Sequence, residues 1–195
     1  MNTPRKVGLI SILVLLGALA AGCCKKDGAA DGATGAATGA EQGAAKGSLP
    51  APLKIEKAGV EFTPPAGWDR EQNNGWTIAN APAEPSGNIP ALVAFVTFNQ
   101  PGESTAKLGT LAGVFGLNNI SWGARENLDL PGGFPATGAG GTCKDGNGNA
   151  CEIHYLTINP GGSEQLLFVY IVDGDKVATY KDSAVQSLKT LKKSE

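Results

Sequence analysis

Ala91-Leu-Val-Ala-Phe-Val-Thr-Phe98 decides the fold. Apolar residues fill both alternations of this run. A strand of this kind must be covered on both faces and therefore lies inside a sheet rather than at its edge. Leu166-Leu-Phe-Val-Tyr-Ile-Val172 has the same character. It stops at Asp173-Gly174-Asp175, a turn signal, after which Lys176 to Thr179 is expected to pair back against it. Two shorter strands precede them. Val60 to Thr63 ends at Pro64-Pro65, and Trp76 to Ala79 follows the turn-rich segment Asp69 to Gly75.

Two segments carry helical spacing instead. After Pro101-Gly102, Ser104 or Thr105 is placed to cap a helix whose Leu108, Leu111, Ala112 and Phe115 fall on one side. Near the C-terminus Ala184, Val185, Leu188 and Leu191 repeat at the same interval, with Asp182 or Ser183 at the start. Lys189, Lys192 and Lys193 sit at the negative end of that helix, where its dipole favours cations. Strands interspersed with two one-sided helices predict an α+β sandwich with a mainly antiparallel sheet.

Cys143 and Cys151 flank Lys144-Asp-Gly-Asn-Gly-Asn-Ala150. In an exported chain such a pair is expected to be oxidised. A hairpin centred on Asn147 sets Cys143 opposite Cys151, and also Gly141 opposite Ile153, Ala139 opposite Tyr155 and Thr137 opposite Thr157. Small residues then meet large ones across the strands. Asp145, Asn147 and Asn149 alternate like the first ligands of a calcium loop. The pattern fails at the sixth and twelfth positions, which hold Ala150 and Leu156 in place of glycine and glutamate. A disulfide-closed turn is the preferred reading, because Asp, Asn and Gly are also ordinary turn residues.

The order of these elements carries a resemblance. A short strand runs into Pro64-Pro65-Ala66-Gly67-Trp68, then come a long apolar strand, a helix, a hairpin, an apolar strand, a turn and an amphipathic helix ending Ser187-Leu-Lys-Thr-Leu191. This is similar to the PsbP-like and DcrB-like family. The resemblance implies an α/β/α sandwich with a binding, assembly or accessory role, and it brings no catalytic residues, cofactor or metal with it.

Candidates for chemistry are few. His154 is the single histidine, and on a strand it shares a face with Glu152 and Leu156, which makes a His/Glu acid–base pair conceivable. A zinc site would need further ligands at suitable spacing, and the cysteines are better explained as a bridge. No Gly-x-Ser-x-Gly elbow, phosphate loop or dinucleotide glycine pattern accompanies the histidine. A pocket gathering His154 with two carboxylates would favour an enzyme, whereas an exposed sheet face would remove that reading. Trp68, Trp76 and Trp122 are read first as core, with a ligand cleft as the alternative.

The segment from Pro50 to Glu195 is one domain's length of chain. It holds 11 Lys+Arg against 15 Asp+Glu, a net charge of −4 without any basic run, which argues against nucleic acid as a partner. Upstream, Lys25 to Leu49 collapses to Gly and Ala with a few polar residues and contains no aromatic, Val or Ile. Such a composition cannot bury enough surface to offset its ordering entropy. It is expected to be a flexible tether with an end-to-end distance of about 25–30 Å.

The first 22 residues read as a signal peptide. Arg5 and Lys6 precede an apolar core from Val7, and Leu19-Ala20-Ala21-Gly22 leads into Cys23. This resembles the lipobox of bacterial lipoproteins, with Leu19 one place upstream of the commonest pattern. The resemblance implies cleavage before Cys23 and a diacylglyceryl group on its thiol. A transmembrane helix would need roughly 20 apolar residues, more than Val7 to Gly22 supplies. Ordinary cleavage to a soluble protein, and acylation at Cys24 instead, are the remaining alternatives. Position 24 lacks the aspartate of an inner-membrane retention signal, which points to the outer membrane. The sequence therefore divides into a signal peptide (1–22), a lipidated Cys23 with its linker (23–49) and a globular domain (50–195). Two functions remain open. One is a non-enzymatic lipoprotein that binds or supports an envelope protein or a small ligand. The other is a small periplasmic hydrolase or metal-dependent enzyme using His154.

Overall fold

The structure, a computed structural model, describes residues 50–100 and 102–194. The signal peptide, Cys23 and the linker lie outside the described residues. Strand β1 (Leu53–Ile55) and β2 (Val60–Phe62) form a short hairpin across a 3-10 turn at Glu56–Ala58. Then come β3 (Asp69–Asn73), β4 (Trp76–Asn80), β5 (Ala91–Phe98) and helix α1 (Glu103–Val114). Strands β6 (Asn118–Trp122), β7 (Glu126–Leu130), β8 (Phe134–Lys144), β9 (Ala150–Ile158) and β10 (Gln165–Asp173) follow. Helix α2 (Val177–Lys189) and β11 (Lys192–Lys193) complete the domain.

The main sheet has eight strands in the order β3-β4-β5-β10-β9-β8-β6, with β7 also paired to β8. Every pairing within it is antiparallel. The two double-sided apolar runs, β5 and β10, are neighbours at its centre. Val93 and Phe95 of β5 join Leu166, Phe168, Tyr170 and Val172 of β10 on one face. Leu92, Ala94, Val96 and Phe98 join Leu167, Val169 and Ile171 on the other. Helix α2 covers the first face through Ala184 and Leu188, helped by the small sheet β1-β2-β11, whose Val60 and Phe62 are fully buried. Phe62 packs on Phe95 at 4.2 Å between ring centroids, and Phe95 on Phe168 at 5.0 Å. Helix α1 covers the second face through Leu108, Leu111 and Phe115. The architecture is thus the expected α/β/α sandwich on an antiparallel sheet. Among the described residues no helix is long and apolar enough to cross a membrane.

Four local expectations need correction. Lys176 to Thr179 does not pair back on β10, because β5 and β9 already occupy both its edges. That stretch instead runs from a 3-10 turn (Gly174–Lys176) into α2. The helix therefore begins at Val177, ahead of Asp182, and Val177 and Tyr180 extend its apolar face by a further turn. The segment after Asp69 is not merely a turn. Arg70 to Gln72 are exposed edge-strand residues of β3, and the reversal is confined to Asn74 and Gly75, both at positive φ (49° and 81°) as a tight hairpin turn requires. In α1 neither Ser104 nor Thr105 caps. Gly102 takes the cap position, and the Glu103 carboxylate accepts the N–H groups of Asn99 (3.0 Å) and Gln100 (3.2 Å).

Candidate functional site

Alternation along β9 turns Glu152, His154 and Leu156 toward α2, and antiparallel register sets His154 directly opposite Tyr170 of β10. The two rings stack, with centroids 5.8 Å apart and planes 27° from parallel. His154 Nε2 lies 3.2 Å from Glu152 Oε2. On the other side of β9, strand β8 places Gly140 opposite His154 and Gly138 opposite Leu156. No side chain rises from β8 at those two positions, so the sheet surface beside His154 stays bare. A methyl group at Gly138 would overlap the Tyr155 carbonyl and Leu156, so the close strand approach there requires glycine.

Helix α2 spans this bare region and leaves a cleft with about 50 Å³ of free volume. Its walls are apolar: Leu128, Leu130, Leu156 and Phe168 from the sheet, Val177, Ala184, Val185 and Leu188 from the helix. Glu152, His154, Tyr170, Lys181 and Lys189 also border it, but almost all of the surface that they and their neighbours present to the cleft is apolar. A single water needs about 10–15 Å³, so a few waters or a small organic group fit.

The electrostatics of Glu152, His154, Tyr170 and Lys181 are coupled. The hydrogen bond from His154 holds the Glu152 carboxyl below the usual carboxylate range, and the charges of His154 and Lys181 pull the same way against burial. Burial pushes the Tyr170 hydroxyl up, and the nearby Glu152 charge adds to the shift, so this phenol keeps its proton. Tyr170 is only 5 % exposed, and its Oη has no hydrogen-bond partner among the described residues. A buried hydroxyl without a partner is an uncompensated cost in a folded protein.

The residues singled out from sequence fall into separate places. His154 and Glu152 share a face and touch, as the strand period requires. His154 lies in a cleft, with 15 % of its side chain exposed, but it is accompanied there by one carboxylate rather than two. No serine, threonine or cysteine lines the cleft. Among the described residues no group of three or more His, Cys, Asp or Glu side chains is placed to hold a metal ion. Cys143 and Cys151 form a disulfide across directly opposed positions, 4.9 Å apart at Cα, on the face away from the cleft. The register of that hairpin is the expected one throughout. In its turn, Asp145 Oδ1 accepts the N–H groups of Asn147 (2.9 Å) and Asn149 (2.7 Å), and Oδ2 accepts the Asn149 side-chain amide (2.9 Å). The carboxylate is thereby committed to closing the turn.

The tryptophans do not converge. Trp68 is buried edge-on against Tyr180 of α2, and Trp76 is buried on the opposite face of the sheet. Trp122 is 39 % exposed and stands edge-on to Tyr155, whose hydroxyl accepts from Arg125 Nε at 3.1 Å. None of the three lines the cleft under α2. The residues that sequence reasoning passed over are Tyr170 and Lys181. The available signal was a lone polar tip, Tyr170, inside the apolar run of β10.

No protein-family model matches the chain, and no curated protein matches it. Solved structures do. The chain is similar to cyanobacterial PsbP (CyanoP) from Synechocystis, with 12% identity and a TM-score of 0.50 over 77% of this chain and 96% of that one. It is also similar to LpqN of Mycobacterium tuberculosis, a protein involved in cell envelope biogenesis, with 17% identity and a TM-score of 0.48 over 77% and 88% of the two chains. A Bacteroides thetaiotaomicron protein matches at 12% identity and a TM-score of 0.44. That match covers 70% of this chain but only 46% of the longer Bacteroides chain. At these identities the likeness is one of fold, and the domain has a PsbP-like fold.

Proposed function

We propose that this chain is a bacterial envelope lipoprotein whose folded domain binds a ligand or partner without transforming it. The observation that carries the binding reading is the cleft under α2. It has apolar walls, and the Tyr170 hydroxyl buried beside it has no partner among the described residues. A concave, mainly apolar enclosure of this kind is the usual setting for a small bound group. The His154–Glu152 contact at 3.2 Å is the one feature that favours a hydrolase. The cleft lining adds no side-chain nucleophile and no second carboxylate to that pair.

The anchor reading rests on the sequence from Arg5 to Cys23. A diacylglyceryl group on Cys23 would provide two acyl chains, enough for stable attachment at about 0.8 kcal/mol per buried methylene. The Gly/Ala-rich linker would then hold the domain off the bilayer, at the outer membrane in the reading that follows from position 24. The membrane is the first partner, and an envelope protein or a small ligand the second. Crosslinking the membrane-bound protein in cells and comparing its partners with those of Cys23→Ser tests this arrangement. A partner recovered only from the acylated form is the expected result. Recovery of no partner from either form would overturn a protein-binding role.

A further inference from the structure

We propose that a recess on the other face of the sheet, beside the start of α1, binds a six-membered sugar ring carrying one carboxylate, of the hexuronate class. Ser104 and Thr105 of α1, Trp122 and Arg125 at the β6–β7 corner and Tyr155 of β9 meet there around about 290 Å³ of free volume. Small-molecule sites run from about 300 to 1,000 Å³, so this one is sized for a single ring. Local sequence builds it. Trp122 pairs with Gly141 of β8, where a Cβ would stand 3.0 Å from the indole and 2.7 Å from the Ser121 carbonyl oxygen. The missing side chain at Gly141 is what seats the indole. The recess lies across the sheet from the cleft under α2, so the proposal does not depend on that cleft.

Three observations select the ligand. The first is the indole. Trp68 and Trp76 are buried, whereas Trp122 is exposed and stands edge-on to Tyr155. A flat apolar ring at a wet surface is what the C–H face of a sugar packs against. The second is Arg125. Its Nε donates to Tyr155 Oη at 3.1 Å, which orients the guanidinium, and its two terminal nitrogens have no partner among the described residues. That free fork matches the two oxygens of a carboxylate. No acidic side chain lines the recess. The Glu103 carboxylate is turned back onto the N–H groups of Asn99 and Gln100. Glu126 shares its strand alternation with Leu128 and Leu130, which line the cleft on the opposite face. One unopposed cation suits a monoanion, and a phosphate dianion would leave a charge unmatched. The third observation is the hydroxyls. Those of Ser104 and Thr105 make no hydrogen bond among the described residues, and Tyr155 Oη, while accepting from Arg125, keeps its own proton to donate. Such groups around a ring-sized space fit a polyhydroxylated acid better than an alkyl or aryl one.

Four probes with a six-membered ring test this on the full chain: glucuronate, glucose, glucose 6-phosphate and cyclohexanecarboxylate. The indole N–H resonance of Trp122, assigned with Trp122→Phe, reports occupancy. Glucuronate should shift it saturably and bind about 10-fold tighter than glucose, the factor at the lower end for a hydrogen bond to a charged group. Arg125→Gln should bring glucuronate to the level of glucose, and 1 M salt should narrow the preference in the wild type. Ser104→Ala combined with Thr105→Ala should weaken both sugars about 2- to 10-fold and leave cyclohexanecarboxylate unchanged. None of these three positions belongs to the buried core, so the unfolding temperature should hold in each variant. If glucose or glucose 6-phosphate binds as tightly as glucuronate, or if Arg125→Gln changes nothing, the carboxylate assignment is overturned. If cyclohexanecarboxylate matches glucuronate, the sugar assignment is overturned. If none of the four moves the Trp122 signal, the proposal fails as a whole, whereas the binding reading of the cleft under α2 is untouched.

Discussion

Tyr170 and His154 occupy facing positions on two central strands, yet their hydrogen-bonding fates differ. His154 satisfies a ring nitrogen on Glu152, whereas the Tyr170 hydroxyl is left over. Removing that hydroxyl removes its desolvation cost while the ring and its packing stay. Tyr170→Phe is therefore expected to leave stability unchanged or raise it by up to about 1 kcal/mol, as read by urea unfolding without ligand. A loss of more than that would mean that the hydroxyl has a partner within the folded protein. Glu152 gives a second prediction. Its carboxyl is held below the ordinary value of 4.5, first by the His154 hydrogen bond. The contribution of this group to stability is thus complete above pH 4.5 and is lost as pH falls through the lower folded-state value. His154→Leu should move the Glu152 titration upward, which carboxyl-carbon NMR would detect, and should flatten the acid limb of the stability profile. The contact between Glu152 and His154 was legible in the sequence, because a period of two puts them on one face. The pairing of His154 with Tyr170 was not. Residues 159–164 join β9 to β10 without a tight turn, so spacing alone leaves the register of those strands open.

At the level of elements, legibility follows how strongly local chemistry constrains geometry. The β8–β9 hairpin could be written out residue by residue, because Asp145 to Asn149 form a short turn and Cys143 faces Cys151 across it. Likewise, the apolar runs of β5 and β10 announced a two-sided core. Strands β6 and β7 gave little warning: they lie on the outer edge of β8, and most of their side chains are exposed. An edge strand carries no strong apolar alternation to detect. The stretch after Asp173 failed for a different reason. A turn signal says that the chain reverses, not which edge is free, and β10 has no free edge. Only the tertiary pairing turns Val177 to Thr179 into the first turn of α2. The hairpin also carries a stability prediction. A disulfide closing so short a loop contributes about 2–3 kcal/mol in the chain-entropy model. Replacing Cys143 and Cys151 together with alanine should lower unfolding free energy by that amount, and wild-type protein under reducing conditions should match the double variant. An unchanged midpoint in both experiments would mean that the bridge does not constrain the unfolded chain.

On the scale of the whole molecule, the proposed function puts address and recognition in separate parts of the chain. Among the described residues, the core of the domain is assembled from positions between Ile55 and Leu191. Its net charge of −4 gives it no general attraction to an anionic bilayer. In the proposed lipoprotein, attachment would come from the N-terminal segment, and two mechanisms there make opposite predictions about salt. Acyl chains on Cys23 would bind by burial of hydrocarbon, which salt does not screen. Lys25 and Lys26 would bind by surface electrostatics, which fade beyond a Debye length of about 3 Å at 1 M salt. Washing isolated membranes with 1 M salt should therefore leave the wild-type chain bound. Palmitate should label it in growing cells, and Cys23→Ser should abolish the labelling while the thermal unfolding of the domain stays the same. Release of the wild-type chain by salt would shift attachment to the lysines. A lowered unfolding temperature in Cys23→Ser would show instead that the anchor and the fold are energetically coupled, contrary to the expectation of a separately folded, tethered domain.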